Sequence, residues 1–97
     1  MFARLTIVQM NPEKTNEAVK IYGDNVVPAA KSQKSYKGIL LLTDPKTGKG
    51  ISISLWEKEQ DAIANDQSGY YQQQVGRFKE YFTKPPVQEG YEVSIKA

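Results

Sequence analysis

The sequence predicts an α+β fold, a ferredoxin-like β-α-β-β-α-β sandwich built on a four-stranded antiparallel sheet. Three observations carry this expectation. Lys37 to Ala62, KGILLLTDPKTGKGISISLWEKEQDA, reads as a strand, a tight turn, a strand ending on Trp56 and the acidic start of a helix. Alternating segments open and close the chain, and apolar residues recur at helical spacing on either side of the hairpin. A hairpin with a helix before it, a helix after it and an outer strand at each end is the split βαβ order.

Phe2 to Met10 alternates and is rich in β-formers, which gives the first strand. Asn11-Pro12-Glu13 starts a helix: asparagine caps, proline suits the first helical position, and glutamate favours the positive end of the dipole. Val19, Tyr22 and Val26, with Ala18 beside them, make one apolar helical face. Gly23 and Pro28 disfavour an unbroken helix, so a kink is expected, or a break near Asn25 with a short second segment through Ala30. Ser32 to Lys37 is polar linker.

Ile39 to Thr43 is a near-continuous apolar run, as in a strand covered on both faces. Asp44 to Gly50, DPKTGKG, is turn chemistry, with Asp and Pro to open it and glycines for positive φ. Ile51, Ile53 and Leu55 then alternate with Ser52, Ser54 and Trp56. Glu57, Glu59 and Asp61 load the next helix start with negative charge. Asp66 to Gly69 interrupts that helix, and Ser68 can cap a new one. Tyr71, Val75, Phe78 and Phe82 follow as an apolar stripe, and Lys84-Pro85-Pro86 stops the helix. Tyr91, Val93 and Ile95 alternate with Glu92, Ser94 and Lys96 in a final strand.

Composition narrows the function. The 97 residues allow one domain, 1–97, with a modest core, since a chain of this size buries about 60–65% of its unfolded surface. The net charge of +2, from 13 basic and 11 acidic residues well interspersed, gives no nucleic-acid footprint. Lys31, Lys34 and Lys37, the densest basic run, read as a solvated loop. Without cysteine there are no disulfides, no thiolate chemistry and no cluster ligands for an electron-transfer ferredoxin. Without histidine the commonest zinc and haem ligand and the commonest neutral-pH base are gone. No metal site is expected. MFARLTIVQMNPEK lacks the pattern of a cleaved leader, and no apolar run nears the ~18 residues that span a bilayer, so no membrane contact and a cytoplasmic setting are expected.

Several residues invite two readings. Trp56 either anchors the sheet edge against the following helix or forms the aromatic wall of a pocket between sheet and helices. Ser52 and Ser54, on its face, would leave room beside the sheet or simply meet solvent. Tyr70, Tyr71, Tyr22 and Tyr81 are amphipathic core residues or phenols for a ligand oxygen. Arg77 is a surface charge or a fixed cation for an anionic or phenolate ligand. Asn25 and Gln9 cap or edge-bond, or orient a ligand. Gly48-Lys49-Gly50 lacks the spacing of a phosphate loop and sits in a hairpin. The acidic residues Glu57, Glu59 and Asp61 serve the helix dipole rather than acid–base or metal chemistry.

Two segments, NVVPAAKSQKSYKGILLLTDPKTGKGISISLWEKEQDA and SGYYQQQVGRFKEYF, make the chain resemble the antibiotic biosynthesis monooxygenase (ABM) type of dimeric α/β-barrel protein. The shared pattern is a strand ending in Trp-Glu, a short acidic helix, then an aromatic-rich helix. With the flanking strands it covers nearly the whole chain. The resemblance implies a homodimer whose two sheets face each other as a barrel, each protomer holding a pocket between sheet and helices. It also implies oxidation of phenolic or anthrone-like compounds by molecular oxygen with no metal or flavin cofactor. Trp56, Tyr70, Tyr71 and Phe78 would then be aromatic walls and Arg77 the polar clamp for a small aromatic or polyketide-like ligand. The haem-degrading branch uses a histidine, absent here, and has a polar asparagine on the first strand, where this chain has residues such as Ala3 and Leu5. The anthrone-oxidising branch uses Asn, Trp and Arg, of which Trp56 matches by position, Arg77 loosely, and no asparagine is matched. The rival reading is a non-catalytic ligand-binding or stress-response barrel module.

Overall fold

Phe2–Gln9 (β1), Tyr36–Asp44 (β2), Lys49–Trp56 (β3) and Val87–Glu92 (β4) form one antiparallel sheet in the order β2-β3-β1-β4. The computed structural model describes residues 1–67 and 69–97, and within these the side chains of Asp66, Tyr70 and Tyr71 lie outside the description. Helices Thr15–Ile21 (α1) and Val27–Lys31 (α2) connect β1 to β2, and Glu59–Gln67 (α3) and Tyr70–Gly76 (α4) connect β3 to β4. This is the expected ferredoxin-like order. The cap expected of Ser68 falls outside the described residues, and Gly69, at φ +89°, precedes α4.

The register fixes which residues share a face. Leu41, Ser52, Thr6 and Gln88 stand in one row across the sheet, and Ile39, Ser54, Arg4 and Gly90 in the next. Phe2 and Trp56 follow in a third. These rows underlie the helices. Leu5, Ile7, Leu40, Leu42, Ile51, Ile53, Leu55, Val87 and Tyr91 occupy the opposite face by alternation. The run Ile39 to Thr43 is therefore covered on one side only within the chain: Leu40 and Leu42 are each 50% exposed.

The first helical segment follows a different face from the expected one. Thr15, Ala18, Tyr22, Val26 and Ala30 are buried, whereas Val19 is 43% exposed. With Ala18 and Tyr22 facing the core, Val19, one residue on from Ala18, turns outward. No break occurs near Asn25. A π-helical turn, Tyr22–Val26, carries the chain from α1 into α2, with the Val27 N–H bonded to the Tyr22 carbonyl. The extra residue brings Pro28 into the first turn of α2, where its missing N–H costs little. Asn25 Nδ2 donates to the Ile21 carbonyl at 3.2 Å, a local helix bond.

The second helical region also differs. The stripe Val75–Phe78–Phe82 faces inward, yet α4 stops at Gly76, well before Lys84-Pro85-Pro86. Lys79–Tyr81 makes a short 3-10 turn and Phe82 is extended. The reason lies in backbone pairing: Asn11 N–H donates to Tyr81 O at 3.0 Å and Thr83 N–H to Gln9 O at 2.8 Å, which stitches this segment to the end of β1. A helix through Phe82 would forfeit both bonds. The last strand lies earlier than its alternation suggested. It pairs Ile7 with Val87 and ends at Phe2 opposite Glu92, where β1 runs out. Beyond it Val93 N–H still reaches Met1 O at 2.9 Å, while Ile95 is 89% exposed.

Buried side chains form two clusters under the helices, one of Met10, Ala18, Tyr22, Val26 and Phe78 and one of Phe2, Trp56 and Ala62. Among the described residues, no helix is long and apolar enough to cross a membrane, and no group of three His, Cys, Asp or Glu could hold a metal ion.

Gly48 closes the β2–β3 turn at φ +80°. Its N–H bonds to Asp44 O at 2.8 Å, its carbonyl accepts from Met10 N–H at 2.8 Å, and a Cβ there would collide with the Met10 carbonyl. Gly48→Ala is expected to lower the free energy of urea unfolding by about 1–3 kcal/mol or more. Gly23→Ala, at a helical position with no atom near its Cβ, is expected to raise it by roughly 0.5–1 kcal/mol. Equal losses for the two variants would refute the assigned turn geometry.

Candidate functional site

A cavity of about 110 Å³ lies between the sheet and the helices, walled by members of both buried clusters. Its floor is unusual for a core: Arg4 and Thr6 of β1, Ser52 and Ser54 of β3 and Gln88 of β4 all line it. Short hydroxyl side chains at the central strand leave the space that Ile51 and Ile53 would fill if they pointed this way. Ile39 and Leu41 bound the β2 side, and Tyr22, Val26, Phe78 and Phe82 close the cavity from the helical side.

The polar floor is internally bonded. Tyr22 Oη and Ser52 Oγ are 2.7 Å apart, and the phenol also lies 3.5 Å from the Leu40 carbonyl. Trp56 Nε1–H donates to Ser54 Oγ at 2.9 Å, and Ser54 Oγ–H points at the Arg4 carbonyl at 3.5 Å. These bonds satisfy groups that would cost about 1–3 kcal/mol each if buried without a partner. The Arg4 guanidinium sits 5.5 Å from the Phe2 ring centroid, within cation–π range. It is the one formally charged side chain among the described residues of the wall. The cavity thus offers aromatic surface, a few hydroxyl and amide groups, and a cation beside one end.

The expected site residues divide. Trp56, 3% exposed, lines the cavity and is clustered with buried Phe2 and Ala62. Phe78 is buried in the wall, between Tyr22 at 6.5 Å and a stacked Phe82 at 6.3 Å. Arg77 is exposed and stands outside the wall, and its Nε donates to Gln74 Oε1 at 3.3 Å, Gln74 being the residue that lines the cavity. The side chains of Tyr70 and Tyr71 lie outside the described ones. Gln9 bonds the Thr47 carbonyl at the hairpin, away from the cavity. Partial desolvation and then the Glu17 carboxylate raise the Tyr81 pKa above that of a free phenol.

Sequence reasoning missed Arg4, Thr6, Asn65, Gln74 and Gln88 as wall residues. The signal for Arg4 and Thr6 was present in their alternation with Leu5 and Ile7 along the first strand. Alternation says which residues share a face, but not which face the helices cover.

No family model and no curated protein matches the sequence. Solved structures do match. A protein classed as an antibiotic biosynthesis monooxygenase from Bordetella bronchiseptica superposes with a TM-score of 0.81 at 14% identity, covering 97% of each chain. A monooxygenase encoded by ActVA-Orf6 of Streptomyces coelicolor, solved with nanaomycin D, gives 0.81 at 11% identity over 99% of this chain and 89% of the other. A variant of SnoaB, a cofactor-independent oxygenase from Streptomyces nogalater, gives 0.74 at 7% identity over 98% and 94%. The chain therefore has the fold of the antibiotic biosynthesis monooxygenases.

Proposed function

We propose that residues 1–97 are a single ABM-like domain that binds a small aromatic or polyketide-like compound in this cavity and oxidises it without a metal or flavin. The observation that carries the reading is the cavity itself: an apolar, aromatic wall around a few fixed polar groups is the usual make-up of a small-molecule site. Oxygenase activity is supported by the fold shared with SnoaB and the ActVA-Orf6 protein. In such a reaction the bound phenol or enol loses a proton and its electron-rich anion supplies the electrons. A methylene beside the ring becomes a carbonyl, one oxygen atom entering the product and the other leaving as water. All four electrons come from the substrate. The protein's part would be to exclude water and to hydrogen-bond the anion's oxygen, a role supported by the presence of Ser52, Tyr22 and Arg4 in the lining.

One observation favours the non-catalytic reading: the described wall side chains include no carboxylate, imidazole or amine to accept a proton. Oxygen-electrode traces with anthrone and with a quinol, each above its uncatalysed rate, separate the two. Enzyme-dependent uptake supports the oxygenase, whereas none, together with ligand-dependent stabilisation of the fold, supports a binding module.

The apolar character of the open sheet face supports pairing with a second copy of the chain. An antiparallel sheet that meets water on one side is usually polar there. Here that side carries Leu40, Leu42, Val87 and Tyr91, each at least half exposed. A twofold pairing of two such faces covers both at once, because the same patch serves each protomer. Native mass spectrometry is expected to give a dimer, and Leu42→Lys a monomer. A wild-type monomer would remove the barrel.

Trp56→Ala is expected to cost about 3–5 kcal/mol, a large part of the 5–15 kcal/mol typical of a domain. Trp56→Phe is the useful variant. It keeps a ring in the wall but loses the bond to Ser54, so ligand affinity should fall several-fold while the dimer mass is retained. Unchanged affinity would leave Trp56 an anchor alone.

A further inference from the structure

The cavity is half-open, and its lining runs from the apolar wall across β1 to Gln88 of the edge strand β4. Arg4 stands opposite Gly90 of β4 in the sheet register. A Cβ on Gly90 would meet the Phe2 ring and the Arg4 guanidinium, whose Nη1 lies 3.3 Å from that position. The missing side chain at Gly90 therefore gives the guanidinium room over β4, with the Phe2 ring centroid 5.5 Å away. Thr6 and Gln88, paired in the next row, line the cavity beside it.

These surroundings suit an anion. The described side chains of the wall include no carboxylate. Glu92, one row along in the other direction, is taken by the Met1 ammonium at 3.6 Å. Arg4 is itself engaged within the chain, but a guanidinium carries five N–H donors in a planar fork and can serve a further acceptor. From the helical side, buried Gln74 also lines the cavity. Its Oε1 accepts from Arg77 Nε at 3.3 Å, which leaves the amide N–H2 as the group it offers. Donors and one cation beside an apolar wall match a monoanion with an apolar body. A phenolate presents one oxygen to such a fork, whereas a planar carboxylate presents two and takes a pair of parallel bonds.

Resting on the ligand-binding reading above, we propose that the ligand is an apolar-bodied monocarboxylic acid, its carboxylate held by Arg4 over β4 and its body among Tyr22, Trp56 and Phe78. Arg4 is then the residue that selects for the acid, and Gly90 is the residue that makes room for it.

The test is calorimetric titration of the full chain at neutral pH with octanoate and phenylacetate, each beside its primary amide, and anaerobically with hydroquinone. The acids are expected to bind at least roughly tenfold more tightly than the amides, since a hydrogen bond to a charged group is worth that much more than a neutral one. Arg4→Gln should abolish this preference and leave amide affinity within a few-fold. The chain has two arginines, Arg4 and Arg77, so nitrogen-15 spectra of the wild-type side chains give a readout that does not depend on the variant folding. Octanoate should shift the Arg4 Nε–H signal and leave that of Arg77, assigned with Arg77→Lys, in place. Amides that bind as tightly as the acids would overturn the proposal, as would octanoate bound without a shift at Arg4. A preference that survives Arg4→Gln would overturn the role of Arg4. If hydroquinone binds and neither acid does, this proposal falls and the ligand-binding reading stands. If no probe binds, both fall.

Discussion

The sheet is dressed the opposite way from a simple two-layer sandwich, and most of the structure follows from that. Its helix-covered face carries Arg4, Thr6, Ser52, Ser54 and Gln88 beside Val8, Ile39 and Leu41, while its uncovered face carries Leu5, Ile7, Leu40, Leu42, Ile51, Ile53 and Leu55. Burying a polar floor under helices is costly unless each group finds a partner. The Tyr22–Ser52 and Trp56–Ser54 bonds are how the chain meets that cost. Because short polar side chains do not fill the space above them, the same choice leaves a cavity where a larger apolar floor would have closed. On the other side, aliphatic surface faces outward.

The two buried clusters divide the work of holding this arrangement. The Met10–Ala18–Tyr22–Val26–Phe78 group clamps the first helical layer and the tail of α4 to one end of the sheet. Phe2, Trp56 and Ala62 hold α3 to the other. Neither cluster is large, so the molecule depends on backbone stitching as well. The bonds from Asn11 and Thr83 bring the segment after α4 against the end of β1, and through it place Phe82 on the cavity wall.

Much of the architecture was legible because it rests on local chemistry. The DPKTGKG turn, the serine-bearing strand after it, the Asn-Pro-Glu start and the acidic entry to α3 are decided by residues within a few positions of each other. The misplaced features are those set at long range. Alternation through Ile95 looked like a strand, but β4 ends where its partner ends. The Phe78–Phe82 spacing looked helical, but pairing to Gln9 and Asn11 overrode it. Arg77 drew attention as a cation near aromatics, while the cation at the cavity is Arg4, on a strand whose polar face reads as solvent-facing until the helices are placed.

The π-helical turn carries a consequence for how this chain can vary. One surplus residue between Ile21 and Val27 lets the ring of Tyr22 and the small side chain of Ala18 share a face with Val26 and Ala30. Each residue of an α-helix advances about 100° around its axis. A deletion in a regular stretch would swing one side by that angle, but deleting Gly23 or Asp24 turns the Val27 N–H to Tyr22 carbonyl bond into an ordinary α-helical one and keeps both flanks near their present phase. A length change of one residue at this exposed turn would thus spare the roof of the cavity, which neither Gly23 nor Asp24 lines.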